Sequence, residues 1–131
     1  MSSYVFSVKS SKGFEPTVQA VTEALKQEGF GVLTTIDVQA TLKAKLGVEQ
    51  RPYRILGACN PQFAHQALQA DPDIGALLPC NVVVREEPDA TVSVVFMDPQ
   101  PVLGMVARPE IAGLGQEVRS RLLRVADALR A

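Results

Sequence analysis

The chain has 131 residues, of which 47% are hydrophobic and 21% charged; this is the length of one domain and a globular composition, and it excludes disordered and collagen-like chains. Thirteen Lys and Arg against fourteen Asp and Glu leave a formal charge of −1, so no general field gathers a phosphate backbone and no nucleic-acid partner is expected. No apolar run approaches a membrane span, the N-terminus lacks the pattern of a secretory signal, and two cysteines suit a reducing compartment, so the expectation is a cytoplasmic domain spanning 1–131 with no membrane association.

In chain order, Tyr4 to Lys9 (YVFSVK) is short, β-branched and aromatic and predicts a first strand. After a turn at Ser10 to Gly13, Pro16 suits a first helical turn, and Phe14, Val18, Val21 and Leu25 recur at spacings of four, three and four on one apolar face. Gly29 and Gly31 end that helix and leave Phe30 to Ile36 as a second strand. Asp37 is a natural N-cap for a short helix bearing Val38, Leu42 and Leu46, which stops at Gly47.

Beyond the Arg51-Pro52 break, Tyr53 to Ala58 (YRILGA) predicts a third strand closed by Cys59. Asn60 followed by Pro61 is a coherent helix start, since Asn accepts from free N–H groups and Pro has its φ already set for the first helical position. That helix runs towards Ala70, and Asp71-Pro72 separates it from a short apolar piece, Ile74 to Leu78. Cys80 to Glu86 (CNVVVRE) and Thr91 to Met97 (TVSVVFM) read as two adjacent antiparallel strands, and VLGMV as a short turn of helix. The last helix carries Val118, Leu122, Val125 and Leu129 inwards, with Arg119, Arg121 and Arg124 read as a solvated face. The order β-α-β-α-β-α-β-β-α, with its terminal hairpin, predicts an α+β domain: helices layered mainly on one face of a mostly antiparallel five-stranded sheet.

The chain has no Gly-rich phosphate loop, nucleophile elbow, HExxH helix or CxxC pair, and no cofactor is expected. What stands out is a repeated thiol-amide pair, Cys59-Asn60 at the end of one strand and Cys80-Asn81 at the start of another. If those strands are antiparallel neighbours, Cys59, Asn60, Cys80 and Asn81 meet at one edge of the sheet and form a candidate ligand site. Cys59 also precedes a helix N-terminus, where the dipole and free N–H groups can lower a thiol pKa; against this stands the ordinary burial of free cysteine in cores. A soft-metal site of Cys59, His65 and Cys80 is a weaker reading, because the spacing matches no metal motif. Glu86, Glu87 and Asp98 read as exposed hairpin carboxylates.

The stretches RPYRILGACNPQFAHQAL and LLPCNVVVREE, together with GFGVLTTIDVQATLKAKLGV upstream and the MDP segment and Arg-rich final helix downstream, resemble the bacterial and archaeal domain of unknown function 302 family over nearly the whole chain. The resemblance implies a two-layer α+β sandwich similar to TATA-binding-protein-like folds, and a homodimer. It implies no activity and carries over no functional residues. The leading functional expectation is therefore a non-catalytic domain that binds or senses a small ligand near Cys59 and Cys80. The alternatives are a thiol-based redox protein or enzyme, with Cys59 attacking and Cys80 resolving, and a structural dimerisation module.

Overall fold

The computed structural model describes residues 4–130. Five strands form one sheet: β1 (Val5–Ser10), β2 (Gly31–Asp37), β3 (Tyr53–Cys59), β4 (Cys80–Glu86) and β5 (Val92–Met97). Their order is β1-β5-β4-β3-β2 and every neighbouring pair is antiparallel, so the sheet is wholly rather than mostly antiparallel. The helices are α1 (Phe14–Gln27), α2 (Val38–Leu46), α3 (Pro61–Ala70), α4 (Pro99–Gly104) and α5 (Pro109–Leu129), with a 3-10 helix at Pro72–Leu77. The expected α+β architecture is present.

Strand alternation decides which side of the sheet is covered. Leu56 and Ala58 of β3, Val82 and Val84 of β4, and Val92, Val94 and Phe96 of β5 are buried, and they join Val21 and Leu25 of α1 and Val118, Leu122, Val125 and Leu129 of α5 in the main core. Phe6 stacks on Phe96 with ring centroids 5.2 Å apart, extending that core under β1. On α1 the buried line is Thr17, Val21 and Leu25, while Phe14 and Val18 are only partly covered. The inward face is thus centred slightly to one side of the predicted one. Thr17 is tolerated inside because its hydroxyl is hydrogen-bonded to Ser10 Oγ at 2.8 Å, so no polar group is left unpaired.

The alternate residues point the other way. Ser7, Val95, Val83, Ile55 and Ile36 are register partners across all five strands, a row of four β-branched aliphatic side chains entered by one serine. None of these four belongs to the packed clusters, and Ile36 is 46% exposed. This is the side of the sheet that the helical layer leaves open. A second, smaller cluster of Ala67, Ile74, Leu103 and Ile111 binds the 3-10 helix and α4 to α3 and α5.

Candidate functional site

The β3–β4 register pairs Ala58 with Cys80, which makes Cys59 the diagonal neighbour of Cys80 at the end of the ladder. Both thiols line an apolar crevice between this sheet end and the helices, together with Asn60, Phe63, Ala64 and Leu114. Its free volume is about 30 Å³, room for a water or two or a methyl-sized group. The lining contains no carboxylate, imidazole or ammonium.

The local chain geometry follows from a few residues. Asn60 caps α3, its Oδ1 accepting from the N–H of Gln62 at 3.1 Å and of Phe63 at 3.3 Å, with Pro61 at the first helical position as expected. Gly57 lets Thr34 and Pro79 close over the strand: a Cβ on it would lie 2.6 Å from Thr34 Cγ2 and 2.9 Å from Pro79 Cγ. Pro79 is thereby held where β4 begins, next to Cys80.

Three of the four expected site residues therefore come together, and Asn81 does not. It follows Cys80 directly along a strand, so its side chain belongs to the opposite face, where it is exposed and registers with Gly57. His65 is exposed on α3 and lines no part of the crevice. Among the described residues no group of three or more His, Cys, Asp or Glu side chains could hold a metal ion, so the proposed set of Cys59, His65 and Cys80 is not assembled.

Electrostatics also run against the expected activation of Cys59. Burial raises its pKa instead of lowering it. Cys80 is pushed up to about 12, first by burial and then by the negative charge that Cys59 would carry. Both sulfurs are free thiols in an apolar setting, not thiolates.

A family model described as domain of unknown function DUF302 matches residues 6–129. The chain belongs to the DUF302 family. Among solved structures it is similar to the "uncharacterized conserved protein DUF302 from Bacillus stearothermophilus", with a TM-score of 0.91 and 33% identity over 98% of this chain and 100% of that one. No curated protein matches it. The resemblance seen in the sequence is thus confirmed at the level of family and fold.

In this DUF302 chain the arginines of α5 do not form the free, solvated row that the sequence suggests. Arg121 lies over the Phe63 ring at 5.1 Å and donates from Nη1 to the Glu28 carbonyl at 3.0 Å, joining the end of α1 to the first turn of α3. Arg124 donates to the Glu28 carboxylate at 3.0 Å. Arg119 lies over Phe6 and donates from Nε to both oxygens of Asp98 at 3.1 Å. Asp98 is buried at 8% exposure and caps α4 through Gln100, so it is a packed structural carboxylate and not an exposed one. These are the residues that sequence reading missed. Their only signal was the excess of arginine on a helix whose other face is apolar. Among the described residues no helix is long and apolar enough to cross a membrane.

Proposed function

We propose that this DUF302 domain, one unit over 1–131, is a non-catalytic binding domain that takes a small apolar group of a ligand into the Cys59–Cys80 crevice and works as a cytoplasmic homodimer. The observation that carries this reading is the convergence of Cys59, Asn60 and Cys80 on an apolar crevice whose thiols are held protonated and whose walls offer no acid, base or cation. Chemistry of that kind receives a ligand without attacking it. The same raised pKa directions favour this reading over the thiol-enzyme alternative, which requires thiolate at neutral pH.

The homodimer draws support from where apolar surface is left over. Leu33 (69% exposed) and Ile36 of β2, Leu46 (70%) of α2 and Val48 just beyond it are all exposed, and no residue of α2 is buried. A nine-residue helix has little stability of its own in water, and a second copy packed on this segment would supply the burial that it lacks.

Thermal-shift screening of the full chain against a broad metabolite panel tests the binding reading. A true ligand at 100 times its Kd adds ~2.7 kcal/mol of stability. Ala64→Leu, which fills the crevice, should abolish that shift. A panel without any hit, or a hit retained in Ala64→Leu, would remove the proposal. Light scattering at micromolar concentration tests the oligomer: a dimer is expected, and Leu33→Lys with Leu46→Lys should return it to monomer.

A further inference from the structure

We propose that the open face of the sheet carries a second binding site, for an apolar monocarboxylate, with Arg85 as the anion contact between Tyr4 and Tyr53. The site is independent of the thiol crevice, because strand alternation puts it on the other side of the sheet. Its floor is Val5, Val83 and Val95, and the depression above them has a volume of about 320 Å³, which falls in the ~300–1,000 Å³ range of small-ligand pockets.

The chemistry of the lining selects the ligand. Three valines offer an apolar bed, Ser7 and two tyrosines bring hydroxyls to the walls, and the one charged side chain in the lining is Arg85. Arg85 is the cross-strand partner of Tyr53 and is steered from outside the depression. Its Nε and Nη2 reach the same oxygen of Glu87 at 3.2 and 3.1 Å, and Ser93 Oγ donates to that oxygen at 2.6 Å. Nη1 takes no part in this pair. Lys9, 3.8 Å from Glu87, is a second cation at the same end of the face and also attracts Asp89, so the two carboxylates there are matched by two cations and Arg85 is the charge that lines the depression itself. A guanidinium held at Nε and Nη2 by Glu87, with no further partner for Nη1 among the described residues, above an aliphatic floor, matches a carboxylate on a hydrocarbon body.

The composition supplies its own reporter. The chain has no tryptophan and two tyrosines, and both tyrosines line this depression, so tyrosine emission reads the site directly. Full-length protein titrated with octanoate below its micellar concentration should show a saturable change in that emission. Octanol, with the same chain and no charge, should bind at least ~10-fold more weakly, the loss expected for one charge-assisted hydrogen bond. Arg85→Gln should bring octanoate down to the octanol level. Val95→Phe, which fills the floor without touching the charge, should weaken both ligands and serves as the second variant if Arg85→Gln does not fold. An absent or non-saturable response, equal affinity for the two ligands, or an octanoate preference that survives Arg85→Gln would overturn the proposal. So would a dimer that Val83→Lys dissociates, because a second copy would then occupy this face.

Discussion

Gly29 lies against Asn60 so closely that a Cβ on it would be 2.9 Å from the Asn60 Nδ2 and 3.4 Å from Arg121 Nη1. The backbone there has φ +85°, a left-handed conformation that L side chains avoid, so the glycine both turns the chain out of α1 and clears space for the α3 cap. Gly29→Ala should cost about 1–2 kcal/mol from backbone strain alone. Displacement of Asn60 adds to that. Urea unfolding measures the total; a loss under ~0.5 kcal/mol would mean that the cap and its neighbour tolerate the methyl group.

Asn60 itself separates folding from reactivity. Asn60→Ala should lose about 0.5–2 kcal/mol, whereas Asn60→Asp keeps an accepting oxygen and should stay within ~1 kcal/mol of the parent. The new carboxylate stands next to Cys59 and raises its pKa further, so alkylation of Cys59 in Asn60→Asp should be slower at a given pH. Iodoacetamide labelling followed by mass spectrometry gives the rate, and an unchanged rate would separate Asn60 from the thiol.

The thiols predict a definite pH response. Because the folded state holds Cys80 protonated up to about 12, against 9.0 for the unperturbed group, its contribution is intact below pH 9 and is lost as the pH rises from 9 towards 12. Stability should therefore fall on the alkaline side by about 1 kcal/mol near pH 10. Cys80→Ala should show a shallower slope over the same window. At pH 8 the native protein should be alkylated slowly at Cys59 and at Cys80 only after denaturation.

Leu25 is fully buried between α1 and the sheet, and Leu25→Ala should cost about 2–5 kcal/mol through lost burial and the cavity left behind. A thermal or denaturant midpoint close to that of the parent would place the α1 face wrongly.

Arg119→Met keeps much of the side-chain volume over Phe6 but leaves Asp98, at 8% exposure, without its cation. The expected loss is about 1–3 kcal/mol, since the pair is partly open to solvent and a Gln100 N–H remains on the carboxylate. The double variant Arg119→Met with Asp98→Asn should recover part of that loss. A double variant less stable than Arg119→Met would show that the charge of Asp98 was not the source of the cost.

Most of the fold could be read along the chain because its signals are local. Asp37 accepts from the Ala40 N–H and Asn60 from the Gln62 and Phe63 N–H groups, both within three residues, and the inward residues of α5 follow the expected spacing. The candidate site was legible only in part. Proximity of Cys59 and Cys80 follows from the antiparallel pairing of β3 and β4 at the end of the ladder, whereas Asn81, one residue further along β4, registers with Gly57 and lines no part of the crevice. The direction of the Cys59 shift is set by burial, and part of the apolar lining around it, such as Leu114 of α5, comes from residues far along the chain. Arg121 bonds a carbonyl 93 residues away, and Tyr4 meets Tyr53 and Arg85 only through the pairing of four strands.

The strand order also sets a timetable for the chain as it is made. Strands β2, β3, β4 and β5 form three pairs of sequence neighbours, β2–β3, β3–β4 and β4–β5, which can zip up as they emerge from the ribosome. β1 cannot follow them: Val5 pairs with Met97, so the first strand synthesised waits for the last one. During that interval its apolar residues Val5, Phe6 and Val8 have no sheet to join, and the long loop that must close makes this the slow, aggregation-exposed step of assembly. Chaperone demand should accordingly centre on the N-terminus, and ending the nascent chain before residue 92, which removes β5, should leave β1 accessible to protease while the three-stranded β2–β3–β4 remainder gains protection.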